Sequence, residues 1–409
     1  MTGEPEQHDG AANQGDSIAA VFAIFLRLGL TSFGGPVAHL GYFRDEFVTR
    51  RRWLGERSYA EVVALCQFLP GPASSQVGMV LGLSRAGIPG ALAAWAGFTL
   101  PSALLLVLFA LGLSAWRDVV PAGALHGLKI AAVAVVAQAV WGMASTLCTG
   151  TARIVIMALS ACAVLLIQNT WAQACVIGCA GVVGMLLLKP VKVEAAHAFL
   201  HVPVSRRTGV LLLGMFFGLL IGLPLLARAW PHTMIAVSSA FYQSGALVFG
   251  GGHVVLPLLQ AAVVPTHWVP ADSFLAGYAL AQAVPGPLFT FAAFLGASMP
   301  SVAGAWTGAG ICLLAIFAPS FLLVTGVLPF WEYLRRSART QAALAGVNAA
   351  VVGLLLAALY HPVWTSAIFA PADALQALVA LLALTRWKVP PWLVVPGCGI
   401  AGWLMRGAW

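Results

Sequence analysis

Thr31-Ser32-Phe33-Gly34-Gly35-Pro36 and, further along, Leu69-Pro70-Gly71-Pro72 interrupt two long apolar stretches of this sequence. Proline lacks a backbone N–H donor and glycine tolerates strained dihedrals, so we expect neither stretch to form one regular helix. Inside a lipid bilayer, the backbone groups freed by a break have no water to bind. Such breaks persist only where they are buried in protein or line a wet cavity. Two of them close together in sequence therefore predict a site at membrane depth.

The composition places this site in a membrane protein. Only 8% of the 409 residues are charged and 60% are hydrophobic, and the mean hydropathy is +0.92. A soluble domain carries roughly 25% charged residues. We therefore predict an all-α polytopic membrane protein. The net charge of +8 is spread over short loops, which indicates membrane topology and not nucleic-acid binding.

The second half of the chain repeats both interruptions. Phe33 matches Phe249 at an offset of 216 (249 − 33), and Pro70-Gly71-Pro72 matches Pro285-Gly286-Pro287 at an offset of 215 (285 − 70). Further matches keep their order while the offset drifts slowly, which is typical of an old duplication. We call segments 31–36 and 69–72 breaks A and B, and the matching segments 247–252 and 284–287 breaks A′ and B′. Paired breaks in matching halves point to a transport site.

This repeat suggests how the chain is divided. We predict a disordered N-terminal tail (1–17), a first repeat (18–190), a cytoplasmic linker with a central transmembrane helix (191–234) and a second repeat (235–409). A single intervening span turns the second repeat upside down if each repeat crosses the membrane an even number of times. We therefore expect two inverted-topology repeats with broken or re-entrant helices.

Loop charges distinguish two topologies. Five arginines lie between breaks A and B, whereas the matching loop 263–272 has no Lys or Arg. Thirteen full spans would place the five-arginine loop outside the cell, against the preference of basic loops for the cytoplasm. We therefore favour nine full spans and four broken segments that return to the side from which they entered. Both topologies put the N-terminus in the cytoplasm and the C-terminus in the periplasm.

The chemistry of the breaks suits an anion. A helix that starts at mid-membrane directs unpaired N–H groups and a partial positive charge at what precedes it. Glycines allow a ligand to approach the backbone, and nearby hydroxyl and amide groups add donors. The second-half equivalents are poorer in donors, since Leu247 and Val248 replace Thr31 and Ser32, and Leu288, Phe289 and Thr290 follow break B′. The predicted substrate-binding residues are Arg27, Thr31, Ser32, Gly34, Gly35, Gln67, Pro70, Gly71, Pro72, Ser74, Ser75, Lys129, Gly250, Gly251, Gln282 and Gly286.

Two of these candidates carry a positive charge inside apolar stretches. Ionisable residues at membrane depth are costly and are functional by default. Arg27 either neutralises a substrate anion or extends to the cytoplasmic surface, and the sequence leaves both open. Lys129 is harder to explain as a surface residue, because apolar residues continue well beyond it.

The motifs together resemble a known family. Phe25-Leu26-Arg27-Leu28-Gly29 with break A, followed by Trp53-Leu54 and Leu65-Cys66-Gln67-Phe68 with break B, is similar to the chromate ion transporters. The resemblance covers nearly the whole chain, including the duplicated halves of the long members. It implies chromate efflux from the bacterial cytoplasm, chromate resistance and halves of opposite membrane orientation. Break A′ departs from the motif at Gly252, and the segment after break B′ departs at Leu288.

The remaining expectations concern energy, partners and alternatives. A dianion that leaves an inside-negative cell gains about 4.6 kcal/mol per 100 mV, so the membrane potential alone can drive its export. We expect chromate, sulfate as a competitor, and the lipid bilayer as partners, no cofactor, and compatibility with a homodimer. A general oxyanion transporter or channel is the alternative transport function. An intramembrane chromate reductase is disfavoured because the sequence has no nucleotide, flavin, haem or iron–sulfur motif.

Overall fold

The computed structural model describes residues 16–115, 121–167, 172–188, 204–299 and 304–406, and in these residues every regular element is helical. The all-α class is thus confirmed. The helices are α1 (Ile18–Thr31), α2 (Gly35–Arg44), α3 (Glu56–Phe68), α4 (Ala73–Ala115), α5 (Ala122–Leu147), α6 (Thr151–Leu166), α7 (Ala172–Leu187), α8 (Arg206–Ala229), α9 (Thr233–Ala246), α10 (Val255–Val263), α11 (Ala271–Ala283), α12 (Phe291–Ala297), α13 (Ala305–Val327), α14 (Trp331–Arg336), α15 (Ala338–Ala358), α16 (Pro371–Thr385) and α17 (Pro391–Arg406).

Break A separates two short helices that double back on each other. Gly34 adopts a left-handed conformation (φ +99°) between α1 and α2. Beyond α2, Glu46 returns to the level of Arg27 on α1, and their side chains form an ion pair at 2.5 Å. Phe25 on α1 stacks on Phe47 with ring centroids 5.1 Å apart. The segment is therefore a hairpin with the break at its tip, as the re-entrant topology predicts.

Break B is the tip of a second hairpin, made by α3 and the first arm of α4. The chain reverses inside α4 at Ala86 and Gly87, whose backbone angles are not helical. A Cβ on Gly82 would overlap the carbonyl oxygen of Gly90, so the two arms of α4 lie in direct contact. Arg85, at the end of the first arm, pairs with Asp16 before α1 at 3.0 Å. Both hairpins thus open toward the same end of the molecule.

The second half repeats this arrangement. Helices α9 and α10 flank break A′, and α11 and α12 flank break B′. A Cβ on Gly277 of α11 would overlap the ring of Phe294 on α12, which shows how closely the hairpin folds back. Gly296 lies against Gly308, as Gly82 does against Gly90. Each of the four predicted broken segments is therefore a pair of short helices.

The halves are inverted relative to each other. The second arm of α4 runs from 88 to 115, about 40 Å at 1.5 Å per residue, so α5 begins at the end opposite to the start of α3. Near the start of α5, Lys129 bonds to Asp272 at the start of α11. His126, one turn earlier, bonds to Asp373 at the start of α16. Helix α11 therefore begins at the end opposite to its equivalent, α3.

Five helical stretches could cross a membrane by length and composition, namely Ala73–Ala115, Ala122–Leu147, Arg206–Ala229, Ala305–Leu334 and Ala338–Trp364. The other four predicted spans are α6, α7, α16 and α17, with 15 or 16 residues each. Sixteen residues extend about 24 Å, short of the roughly 30 Å hydrocarbon core. Helix α7 begins and α17 ends where the described residues do, and for α6 and α16 hydropathy does not mark the helix ends.

The predicted divisions of the chain fall partly outside the described residues. Residues 1–15 of the tail and 189–203 of the linker belong to that remainder. Ser17 is ordered, and its side chain accepts a hydrogen bond from the N–H of Ala20 to cap α1. Together with the Asp16–Arg85 ion pair, this cap holds the residues immediately before α1 in place.

Candidate functional site at the helix breaks

The four breaks meet in two crossed pairs. The N–H of Gly286 in break B′ donates to the carbonyl oxygen of Ser32 in break A at 2.9 Å. The N–H of Gly71 in break B donates to the carbonyl oxygen of Val248 in break A′ at 2.6 Å. Ser32 matches Val248 at offset 216 (248 − 32), and Gly71 matches Gly286 at offset 215 (286 − 71). The two bonds are therefore equivalent under the repeat, and each joins one half to the other.

Two glycines make these crossings close. Gly71 has a φ of +122°, and a Cβ there would overlap Ser320 Oγ and lie 2.6 Å from Gln76 Nε2. Gly286 has a φ of +99°, and its Cβ would lie 2.7 Å from Ser102 Oγ. An L side chain rarely adopts such angles. Ser102 and Ser320 occupy matching positions in the repeat, each directly after a proline. This match is visible in the sequence, but it does not by itself identify the two serines as site residues.

A buried polar cluster surrounds the crossing of breaks A and B′. His39 Nε2 lies 3.2 Å from the Ser32 carbonyl oxygen, and Nδ1 lies 3.4 Å from Ser74 Oγ. The ring packs edge-on against Phe98. Neither the Ser32 hydroxyl nor the Ser75 hydroxyl, both buried, has a partner in the described structure. A buried hydroxyl without a partner is costly, so these groups indicate a place where water or a ligand binds.

At the crossing of breaks B and A′, Gln76 braces break B from within. Its Nε2 donates to the Pro70 carbonyl oxygen at 2.7 Å, and its backbone N–H donates to that of Pro72 at 3.0 Å. Ser320 Oγ, buried at this crossing, is a further hydroxyl without a partner in the described structure. Gln76 is fully buried. Ser320 was not among the predicted site residues.

In the second half, His253 after break A′ has two polar neighbours. His253 Nδ1 lies 3.1 Å from the Tyr278 hydroxyl and 3.4 Å from Gln282 Nε2. Gln282 is thus partly buried and engaged, whereas its match Gln67 is exposed. Gly251 has a φ of +143° and lies near Met143.

Arg27 and Thr31 lie at the surface of the first hairpin. The Arg27 side chain is 48% exposed and pairs with Glu46, while the Thr31 hydroxyl donates to the Arg27 carbonyl oxygen at 2.8 Å. Glu46 also binds Arg50 and Arg51 at 3.2 and 2.6 Å. Burial works to raise the pKa of the Glu46 carboxyl, but these three arginines outweigh it and the net pKa is lowered. The charge of Arg27 is therefore already partnered. Gly35, with a φ of +77°, has open space where a Cβ would lie.

Lys129 does not lie with the breaks. Its Nζ is 2.8 Å from Asp272 Oδ1, and its side chain is 12% exposed. Asp272 precedes break B′ by about 12 residues of α11, or about 18 Å along the helix. Lys129 is thus held at the end of the molecule where α11 begins.

A cavity of about 360 Å³ separates α3 from the beginning of α15. It is lined by Glu61, Ala64, Phe68, Thr146, Leu147, Arg153, Trp331, Gln341, Leu344, Ala345 and Asn348. Its inner wall reaches break A′, because a Cβ on Gly250 (φ +74°) would lie 3.3 Å from Leu147 and 3.5 Å from Asn348 Oδ1. We call this cavity the α3–α15 cleft. No pattern in the sequence predicted this cavity.

The equivalent place at the other end is closed. Helix α11, the match of α3, packs along α5, the match of α15. Lys129, which matches Asn348 at offset 219 (348 − 129), there forms its ion pair with Asp272. Among the described residues, no group of three or more His, Cys, Asp or Glu side chains is placed to hold a metal ion.

Comparison with known proteins gives one consistent result. A family model described as chromate transporter matches residues 19–185 and again 235–403. The chain is 28% identical to the chromate transport protein of Pseudomonas aeruginosa, over 95% of this chain and 92% of that protein. It is 27% identical to the chromate transport protein of Cupriavidus metallidurans, over 92% and 90%. An uncharacterized transporter of Bacillus subtilis, YwrA, is 29% identical, and 93% of it matches 41% of this chain. No solved structure matches.

Proposed function

The chain belongs to the chromate transporter family, and from that premise we propose that it exports chromate across the inner membrane of a bacterium and so confers chromate resistance. The anion binds where the four breaks cross. This conclusion rests on one observation above all, the pair of equivalent backbone hydrogen bonds that joins break A to B′ and break B to A′.

The crossings offer an anion what it requires. Chromate is a tetrahedral dianion, and its oxygens accept hydrogen bonds from N–H and O–H groups. The buried hydroxyls of Ser32, Ser75 and Ser320 lack partners in the described structure, so they are available as donors. Gly35, where a Cβ would meet nothing within 4 Å, leaves its backbone open to close approach by a ligand. A site of neutral donors binds a dianion without trapping it, which suits a transporter.

The direction of transport follows from charge and potential. The end of the molecule that bears the α3–α15 cleft also carries the loop with Arg44, Arg50 and Arg51. Basic loops face the cytoplasm, so this end is the cytoplasmic one, and the N-terminus lies there with the C-terminus in the periplasm. A dianion that leaves an inside-negative cell gains about 4.6 kcal/mol per 100 mV. The potential is therefore a sufficient driving force.

Sulfate is the second candidate substrate. It has the same charge and tetrahedral shape as chromate, and hydrogen-bond donors alone discriminate poorly between such anions. We expect sulfate to compete with chromate.

Uptake by everted membrane vesicles tests this function. Energised vesicles that contain the protein should accumulate labelled chromate with saturable kinetics, and collapse of the potential should abolish accumulation. Excess sulfate should reduce the initial rate, and the accumulated chromium should be recovered as chromate and not as a reduced form. Vesicles that show no uptake above a vector control, or that return reduced chromium, would contradict the proposal.

A further inference from the structure

The α3–α15 cleft has the features of an anion-binding site distinct from the breaks. We propose that it binds a tetrahedral oxyanion on its way to the breaks, and that Arg153 supplies the charge that holds it. This inference rests on the proposed function for its place in the transport cycle, but its binding step can be tested without transport.

Arg153 differs from five other arginines near this end of the protein in having no carboxylate partner in the described structure. Arg27, Arg44, Arg50, Arg51 and Arg85 each lie within 4 Å of a carboxylate in the described structure. For Arg153 the described contact is a long one, with Nη1 3.4 Å from Thr149 Oγ1.

Arg153 is also only partly exposed. A guanidinium remains charged at any physiological pH and offers a planar fork of donors that suits an oxyanion. A partly buried guanidinium without a carboxylate partner thus leaves its charge available for a ligand.

From Arg153 inward, the side chains that line the α3–α15 cleft change from charged to neutral. Arg153 lies at the start of α6, whereas Asn348 lies three turns into α15, next to Gly250 of break A′. An anion drawn in by the guanidinium therefore finds an amide side chain and then the backbone of a break. The volume of about 360 Å³ falls within the usual range of small-molecule sites and accommodates a tetrahedral oxyanion with water.

Glu61 on the same wall keeps binding weak. Glu61 interacts with another group of the protein. Its carboxylate is itself negatively charged and therefore repels an oxyanion that enters the cleft. Transport requires that a substrate leave each site as readily as it enters. The opposite charges of Arg153 and Glu61 therefore suit a site that binds the anion transiently and not one that retains it.

Protection of an introduced cysteine tests the binding step. In a background without the seven native cysteines, Ala345→Cys places a thiol on the cleft wall, and Leu344→Cys provides a second one. A thiosulfonate reagent should label both, and sulfate should slow the labelling while chloride at equal ionic strength should not. If neither thiol is labelled, the cleft is closed to solvent and the proposal is overturned.

The role of Arg153 is tested in the same assay. Arg153→Gln should raise the sulfate concentration that gives half protection about tenfold, since it removes the positive charge that the described lining of the cleft supplies. Arg153→Lys should retain most of the protection. Arg207→Gln removes an exposed charge at the start of α8 and serves as the matched control. Unchanged protection in Arg153→Gln, or equal loss in Arg207→Gln, would contradict the assignment.

The two proposals fail separately. If sulfate protects the cysteines but vesicles do not take up chromate, the proposed function is wrong and the cleft site stands. If vesicles transport chromate while sulfate gives no protection, the function stands and the cleft is only a passage for solvent.

Discussion

Two equivalent regions of this protein differ in one respect. At one end, α3 stands away from α15 and leaves the α3–α15 cleft. At the other end, α11 packs along α5, and the Lys129–Asp272 ion pair joins the two helices. Matching pairs in an inverted repeat exchange arrangements when a transporter opens to its other side. The closed pair therefore indicates how the cleft closes, and the cleft indicates how the opposite end opens.

The same comparison explains the two arrangements of Lys129 and Asn348. Asn348 borders the open cleft beside break A′, while its match Lys129 is covered by α11. If the opposite end opens in the same way, we expect Lys129 to border the corresponding opening. The predicted role of Lys129 in substrate binding stays a prediction, and it applies to that second state.

The largest effect is expected at the crossings, which both ends share. Gly71→Ala and Gly286→Ala should each reduce chromate uptake by vesicles to near the background rate. The added Cβ overlaps Ser320 Oγ in the first variant and lies 2.7 Å from Ser102 Oγ in the second, and both backbones have positive φ. Gly112→Ala in α4 is the matched control, because a Cβ there meets nothing within 4 Å.

The paired design of this experiment tests the equivalence of the halves. Loss of transport in Gly71→Ala alone would show that the crossing of A and B′ tolerates distortion. The second half would then support the fold without binding substrate, and the crossings would not be equivalent in function.

A smaller effect is expected at the closed end. Asp272→Asn removes the partner of Lys129 and should make α11 separate from α5 more often. A thiol at Ala279→Cys, which is buried in the closed state, should then be labelled roughly three- to tenfold faster, in keeping with about 1 kcal/mol for a partly exposed pair. The matching thiol at Ala64→Cys, on the cleft, should already react quickly. Asp272→Glu retains the charge and should leave the labelling rate of Ala279→Cys unchanged. If Ala64→Cys and Ala279→Cys are labelled at equal rates while Asp272 is intact, the proposed difference between the two ends is wrong.

Much of this architecture could be predicted from the sequence, because proline and glycine disrupt helices locally. The four breaks and the basic loop are local features, and the repeat is visible when the two halves of the sequence are compared. The described structure has a pair of short helices at each break. The crossings could not be predicted. The repeat offsets equate Ser32 with Val248, but they do not say that Ser32 bonds to Gly286 in the other half. Contacts between distant segments leave no periodic signal in the sequence.

The charged candidates show a second limit. Arg27 and Lys129 stand out because they lie in apolar stretches, but their carboxylate partners, Glu46 and Asp272, lie outside those stretches. Hydropathy could not connect them. The α3–α15 cleft was missed for a related reason, since it arises where two helices fail to pack, and no residue pattern marks a missing contact.

The loops at the two ends extend the comparison to stability. Glu46, in the loop between breaks A and B, binds Arg50 and Arg51 of that loop and Arg27 of α1, whereas the matching position in the second half is Ala262. Glu46→Gln should lower the free energy of unfolding in detergent by roughly 1 to 3 kcal/mol, because it removes charge-assisted hydrogen bonds from a side chain that is 6% exposed. Glu56→Gln, which removes an exposed partner of Arg44, is the control and should change stability much less. Equal loss in both variants would show that burial of Glu46 is unimportant.

The smallest expected effect is the pH dependence of the difference in unfolding free energy between the parent protein and Glu46→Gln. The arginines lower the pKa of Glu46 in the folded protein below the unfolded value of about 4.3. The carboxylate therefore contributes its full stabilisation above the unfolded pKa and loses it as the pH falls through the lower, folded value. The gap in unfolding free energy between the parent protein and Glu46→Gln should be constant at neutral pH and should narrow only in acid below about pH 4. A gap that narrows between pH 7 and 5 would show that the three arginines do not hold Glu46 ionised, and that the basic loop does not depend on it.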